Sequence, residues 1–395
     1  MRGSGHGPIA RGGYAAVALV LAAVACSAPA GDDERSPSSS AAPGSGPVED
    51  VVSALEDPAA PGLPEPLVDV DRLVSGGPPP DGIPALDDPA FEDASDVDWL
   101  EDTEPVLGVS VEGEDRAYPV RILIWHEIVN DTIGGRPVAV TYCPLCDSAL
   151  AFDRRVGDRV LDFGVSGMLY NSDLVMFDRQ THSLWPQIEG RAVAGTLTGT
   201  ELERVSVAVL PWEQWRADHP DAAVLSQDTG HDRDYGHNPY VGYDDPDSEP
   251  FLLDTDADPR LPAKTRVIGI GTGTEALAVP VDDALEQGVV STEVGGDAVT
   301  VWAQPGASSA LDEPVIAQGR ETASTGVFVP VQDGEELTFE PDGDFFTDDR
   351  TGSRWNISGR AVDGELAGRE LTPVDHVDTF WFAWVAFTPD TEILR

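Results

Sequence analysis

Basic residues are scarce in this chain. Lysine and arginine together number 24 against 71 aspartates and glutamates, which gives a formal net charge of −47 at pH 7. Lys264 is the only lysine. A surface of this sign repels phosphate backbones and anionic lipid headgroups, which excludes nucleic acid as a partner. The excess of carboxylates indicates instead a protein that stays soluble in a demanding exterior.

Long hydrophobic runs are also few. The clearest run extends from Tyr14 to Ala25, follows two arginines, and is too short to span a bilayer comfortably. It is typical of a signal peptide, and Cys26 follows small residues as it does in a lipoprotein signal. We expect residues 1–26 to be a signal peptide of the lipoprotein type and the protein to be exported. Membrane contact would then be limited to a lipid anchor at Cys26; the alternatives are cleavage elsewhere and an uncleaved anchor.

The segment after the signal differs in composition from the rest of the chain. Residues 27–64 are dominated by Ser, Pro, Gly, Ala and acidic residues, which predicts a disordered tether. Over the whole chain 41% of residues are apolar, an ordinary share for a globular protein. The remaining residues are therefore expected to fold.

The folded part repeats itself at a constant spacing. A stretch that begins near Val106 recurs near Val267, and two tryptophans close each copy. We interpret this as an internal duplication of a domain-sized unit. The predicted domains are residues 65–226 and 264–395, joined by an irregular acidic insert. The insert covers residues 227–263.

Alternating apolar residues predict mostly short strands. Val106–Val111 and 137–142 are examples, and the runs 149–155 and 159–165 are expected to form a hairpin. Helical spacing of apolar residues predicts a short helix over 121–130. The predicted fold is α+β and strand-dominated, with two similar tandem domains.

Residues able to carry chemistry occur in the first copy and not in the second. A random loss in a diverged copy is one explanation, but these residue types are scarce in this chain. Their joint loss favours a site that the second copy abandoned. The replacements are Cys143 by Gln304, Cys146 by Ala307, His126 by Gln287, His182 by Gly352 and Met168 by Asp344.

The motif Cys143-Pro144-Leu145-Cys146 is the chemical centre of the first copy. A disulfide closing so small a loop would stabilise the fold little. A thioredoxin-type dithiol needs its first cysteine at a helix N-terminus, whereas a strand and a hairpin are predicted after Cys146. Thiol exchange with Cys143 and Cys146 as catalytic residues remains an alternative, and metal binding explains more of the pattern.

The expected metal site combines the two thiolates with His126, His182 and Met168. Thiolates with a thioether and an imidazole favour Cu(I), whereas two thiolates with two imidazoles would suit Zn(II). Copper is the leading prediction and zinc is the alternative. Four further residues are candidates to surround the ligands: Glu127, Asn171, Asp173 and Met176.

Longer motifs carry a resemblance to a known family. The runs Trp125-His126-Glu127-Ile128-Val129-Asn130-Asp131, Thr141-Tyr142-Cys143-Pro144-Leu145-Cys146 and Tyr170-Asn171-Ser172-Asp173-Leu174-Val175-Met176 resemble the signature of domain of unknown function 3179. The resemblance extends from about Leu67 to the C-terminus. It implies an exported bacterial or archaeal protein and no particular activity.

These observations predict an exported, surface-anchored metal-binding protein for metal handling in the cell envelope. Its partner would be a metal ion, or a redox partner protein if the cysteines exchange disulfides. One alternative is a thiol-disulfide oxidoreductase. The other is a structural surface protein whose cysteine pair has no chemical role.

Overall fold

The computed structural model describes residues 51–253, 255 and 257–395. The predicted signal peptide, the anchor at Cys26 and the tether up to residue 50 lie outside the described residues. Within the described part no helix combines the length and apolar character needed to span a bilayer.

Short strands dominate both halves, as predicted. The strands before residue 227 are β1 (Val74–Ser75), β2 (Leu86–Asp87), β3 (Phe91–Asp93), β4 (Pro105–Val111), β5 (Glu114–Pro119), β6 (Ile128–Ile133), β7 (Arg136–Cys143), β8 (Ser148–Asp153), β9 (Arg155–Val156), β10 (Arg159–Val160), β11 (Phe163–Tyr170), β12 (Asp173–Asp178), β13 (Leu184–Pro186), β14 (Arg204–Val205), β15 (Ala208–Pro211) and β16 (Ala223–Leu225).

The second half continues in the same manner. Its strands are β17 (Arg266–Ile270), β18 (Leu277–Pro280), β19 (Val289–Val294), β20 (Asp297–Ser308), β21 (Glu321–Val329), β22 (Val331–Gln332), β23 (Glu335–Glu336), β24 (Phe339–Asp342), β25 (Phe345–Asp348), β26 (Arg354–Trp355), β27 (Ala361–Asp363), β28 (Thr372–Pro373), β29 (His376–Phe380) and β30 (Glu392–Ile393).

The α-helices of the described residues are short, and each has seven residues. The first is shorter than predicted, because Glu127 adopts a positive φ and its N–H bonds to the carbonyl of Leu123, which turns the chain into β6. The prediction of helix up to residue 130 is therefore wrong. The helices are α1 (Val120–His126), α2 (Trp212–Asp218), α3 (Val281–Gln287) and α4 (Trp381–Phe387).

Three sheets of the first half position the candidate site. Their strand orders are β14-β8-β7-β6-β2, β1-β11-β12-β13 and β15-β4-β5-β16-β3. The hairpin predicted between residues 149–155 and 159–165 forms around residues 156–158, where β9 and β10 pair with each other, but it is shorter than predicted. Strand β8 stops at Asp153, and β11 pairs with β12. The backbone of Arg154 continues the pairing of β9 with β10, because its carbonyl accepts a bond of 2.8 Å from the N–H of Leu161, and its buried guanidinium donates to the carbonyls of Leu161 and Asp131.

Each half contains the order strand, strand, helix, strand, strand. It is formed by β4-β5-α1-β6-β7 and by β17-β18-α3-β19-β20. The halves differ directly afterwards, because β7 ends at Cys143 and turns back, whereas β20 runs on to Ser308 and pairs with β21. The duplication itself stays a prediction from the sequence.

The two halves share hydrophobic packing within one compact unit. One core cluster contains Cys146 and Trp185 from the first half together with Phe380 and Trp384 from the second. Residues 51–64, assigned to the tether from composition, contribute to packing as well, since Ala54 is fully buried.

Candidate metal centre

A tight turn between two paired strands holds the cysteines. Cys143 ends β7 and pairs in register with Ser148 at the start of β8. Four residues connect them, and the N–H of Cys146 donates to the carbonyl of Cys143 over 3.2 Å. Both cysteines are buried, and they are free thiols instead of a disulfide.

A second hairpin brings a carboxylate to the thiols. Between β11 and β12 the turn residues Asn171 and Ser172 both have positive φ, the geometry of a tight primed turn. Asp173 follows directly and is completely buried. The two sulfurs and a carboxylate oxygen of Asp173 lie within 4.8 Å of one another. Three potential metal ligands therefore converge.

Hydrogen bonds fix this arrangement. The sulfur of Cys146 lies 3.6 Å from Oδ1 of Asp173 and 3.7 Å from the carbonyl oxygen of Ser172. The other carboxylate oxygen of Asp173 accepts a bond of 3.1 Å from the N–H of Ile188. The carboxylate is thus oriented by the backbone, with one oxygen left towards the sulfur.

Burial makes negative charge costly at this site. It raises the pKa of Asp173 to about 8 and that of the Cys146 thiol well above its usual value, where Cys143 and Asp173 add to the effect. The pKa of Glu127 is raised to about 8, first by burial and then by the charge of Asp173. A bound cation would offset this cost and favour the deprotonated ligands.

The acidic segment 227–263 covers the cysteines with aromatic rings. Burial raises the pKa of Tyr240 and of Tyr243, and the charge of Cys143 raises both further. Lys264 places Nζ 3.5 Å from the centre of the Tyr243 ring and donates to the Tyr243 carbonyl over 2.6 Å. The chain's only lysine therefore fastens the cover of the site.

The second half forms the other wall. The carbonyl of Cys146 accepts a bond of 2.9 Å from the N–H of Phe380 and one of 2.8 Å from the hydroxyl of Thr379. Next to it, Asp147 pairs with Arg266 at 2.6 Å. The cysteine turn is thus held by side chains and backbone of β17 and β29.

His126, a predicted ligand, does not join the converging group and bonds to other parts of the protein. Its Nδ1 is 2.8 Å from the carbonyl of Pro84 and its Nε2 is 2.6 Å from the hydroxyl of Tyr235. Burial lowers its pKa to about 4. The group formed by the cysteines and Asp173 does not include it. Both ring nitrogens already bond to protein, so His126 connects the segment 227–263 to the first half.

The remaining predicted residues lie outside the group formed by the two cysteines and Asp173. His182 is 2.9 Å from the hydroxyl of Ser53 and is not part of the converging group. Met168 is partly buried in a cluster with Val175, whereas Met176 is buried in the same cluster as the cysteines. Asn171 bonds to Arg72 and forms the turn before Asp173.

Sequence reasoning placed Asp173 around the site and not in it. The available signal was that Asp173 lies in a stretch that the second half lacks. The hairpin of β11 and β12 extends further beyond the pair Phe163 and Asp178 than the hairpin of β24 and β25 extends beyond the matching pair Phe339 and Asp348. The covering tyrosines also had no counterpart in the second half.

Comparison with known proteins identifies the family. The family model described as a protein of unknown function, DUF3179, matches residues 80–391, which is most of the chain. The chain belongs to this family, as its motifs predicted. Comparisons with curated proteins and with solved structures give no significant match.

Proposed function

We propose that this is an exported protein that retains a metal ion at Cys143, Cys146 and Asp173. The observation that carries the proposal is the convergence of two free, buried sulfurs and a buried carboxylate oxygen within 4.8 Å. Thiolates and a carboxylate are costly to bury without a partner cation, so a bound ion would stabilise the deprotonated forms of these three groups. The spacing is compatible with ligands around one tetrahedral ion.

The ligand set favours Zn(II) over copper. Cu(I) prefers soft donors such as thiolate and thioether, whereas Zn(II) accepts thiolate and carboxylate in one tetrahedral shell. The residue beside the sulfurs is Asp173, a hard oxygen donor. Zinc, the alternative in the sequence analysis, therefore becomes the preferred ion.

Burial supports retention of the ion over exchange. Cys143 and Cys146 are exposed by only 1% and 0%. Thiol-disulfide exchange with another protein requires an accessible attacking sulfur, and here Tyr240, Tyr243 and β29 surround the pair. A retained ion would lie beneath the residues that cover the cysteines, which are Tyr240, Tyr243 and strand β29. Export and a lipid anchor at Cys26 belong to the same proposal and are supported by the N-terminal sequence.

Metal analysis of the full-length protein, purified under reducing conditions, tests the proposal. We expect one zinc per chain in the wild type and less than a tenth of that in Cys143→Ser/Cys146→Ser. Asp173→Asn should retain the thiols and bind zinc more weakly. His182→Ala is the matched control, because it removes a scarce ligand type away from the converging group, and it should keep full occupancy. Wild-type protein that takes up neither zinc nor copper would refute the proposal.

A further inference from the structure

We propose that Glu127 is the fourth ligand of the ion held by Cys143, Cys146 and Asp173. This inference rests on the proposed function. Glu127 lies beside the cysteine strand, adopts a backbone conformation that suits glycine, and makes no side-chain hydrogen bond among the described residues.

Glu127 lies beside the cysteine strand. It follows α1 directly, and its carbonyl accepts a bond of 2.8 Å from the N–H of Tyr142, the residue before Cys143. The charge of Asp173 raises the pKa of Glu127, and the charges of Glu127 and Cys143 both raise the pKa of Tyr240. The carboxyl group therefore shares its surroundings with the converging ligands.

The Glu127 side chain is nearly buried, and its carboxyl group has no hydrogen-bonding partner among the described residues. The residue is 7% exposed, and among the described residues its carboxyl oxygens make no hydrogen bond or ion pair. Buried carboxyl groups in proteins are otherwise paired or hydrogen-bonded. A side chain placed here for packing alone would be apolar.

The backbone at Glu127 is unfavourable for any residue with a Cβ. Its φ of 60° and ψ of −31° fall outside the left-handed helical region. The corresponding turn after α3 has Gly288, with φ of 72° and ψ of −43°. The two turns have the same hydrogen-bond pattern: the carbonyl of Gly288 accepts from the N–H of Ala303, and the N–H of Gly288 donates to the carbonyl of Ala284. Glycine suits this turn, so a glutamate here points to a requirement for its carboxylate.

An oxygen of Glu127 would be the fourth ligand and would complete a tetrahedral shell of two sulfurs and two carboxylate oxygens. Glu127 is not within 4.8 Å of all three other ligands, so binding would require rotation about its side-chain bonds. Two thiolates and two carboxylates would favour a divalent ion over Cu(I).

Glu127→Gly separates the roles of this residue, because it relaxes the backbone and removes the carboxylate. We expect the metal-free variant to unfold at a higher urea concentration than metal-free wild type. We also expect its affinity for Co(II), used as a spectroscopic substitute for zinc, to fall at least tenfold. The sulfur-to-cobalt charge-transfer band should remain, since both thiolates are present, while the ligand-field bands of four-coordinate cobalt change.

His182→Gly is the matched control. His182 also has a positive φ, 54°, where the second half has Gly352, and both N–H groups bond to an aspartate carbonyl. This variant relaxes a comparable backbone position without touching the converging ligands. Its Co(II) affinity and spectrum should equal those of the wild type.

The outcomes distinguish this inference from the function on which it rests. If wild-type protein binds neither cobalt nor zinc, the metal site and the role of Glu127 are both refuted. If binding depends on Cys143 and Asp173 while Glu127→Gly keeps wild-type affinity and spectrum, only the assignment of Glu127 is refuted.

Discussion

Removing the charge of Glu127 should change how the stability of the metal-free protein depends on pH. Burial and the neighbouring Asp173 raise the pKa of Glu127 from 4.5 to about 8 in the folded protein. A raised pKa means that folding favours the protonated carboxyl group. Its contribution to stability is therefore complete below pH 4.5 and is lost as pH rises towards 8.

The size of the effect follows from these two pKa values. Between pH 5 and pH 7 the unfolded glutamate ionises almost fully while the folded one stays mostly protonated, which costs about 2.5 kcal/mol of folding free energy. Glu127→Gln keeps the shape of the side chain and cannot ionise. Relative to the wild type, this variant should be more stable at pH 7 than at pH 5 by about that amount.

Urea unfolding with a chelator and a reductant measures this difference. The free energies of unfolding of wild type and Glu127→Gln are compared at pH 5 and pH 7, so that the titration of groups that do not interact with Glu127 cancels between the two proteins. Parallel pH dependence in the two proteins would show that Glu127 titrates normally. The account of a buried, unpaired carboxyl group would then be refuted.

Three further changes test how the site is held. Arg266→Gln removes the cation beside Asp147 and leaves that carboxylate unpaired, which should lower the free energy of unfolding. The expected loss is roughly 2–3 kcal/mol, less than for a fully buried ion pair, because both side chains are partly exposed; an unchanged urea midpoint would contradict this. Thr379→Val removes one of two bonds to the Cys146 carbonyl and should cost about 1 kcal/mol and weaken zinc retention in a competition titration; equal retention would show that β29 does not support the cysteine turn. Asp348→Asn disturbs a carboxylate that accepts bonds from three backbone N–H groups, a threonine hydroxyl and an indole, so it should cost about 1–3 kcal/mol without changing bound zinc; loss of zinc would contradict a purely structural role.

Much of the strand pattern follows from the sequence, but the ends of elements do not. Apolar residues continue at helical spacing beyond His126, so the helix was predicted to continue to residue 130. The chain instead turns at Glu127, whose positive φ has no signature in hydrophobic periodicity. The hairpin around residues 156–158 was likewise predicted too long, because β11 pairs with β12 and not with β8.

The importance of the two cysteines was predictable from the sequence, whereas the position of Asp173 beside them was only partly so. Comparison of the two halves identifies residues that one half lacks, but it does not show which of them converge. His126 was selected by rarity, and the structure shows it bonded to Pro84 and Tyr235. Asp173 belonged to an abundant residue type in this acidic chain, so nothing in composition distinguished it from other aspartates.

The second half lacks the ligands and still takes part in the site. Its strand β29 gives two hydrogen bonds to the Cys146 carbonyl, and its strand β17 supplies Arg266 to Asp147. These contacts use backbone groups and residues away from Gln304 and Ala307, the positions that match the cysteines in sequence. If the halves arose by duplication and the first half binds the proposed ion, the second half was free to diverge at those positions while it kept its contacts with the turn. Under this interpretation the proposed ion and the second half both stabilise the cysteine turn, so loss of either should loosen the cysteines.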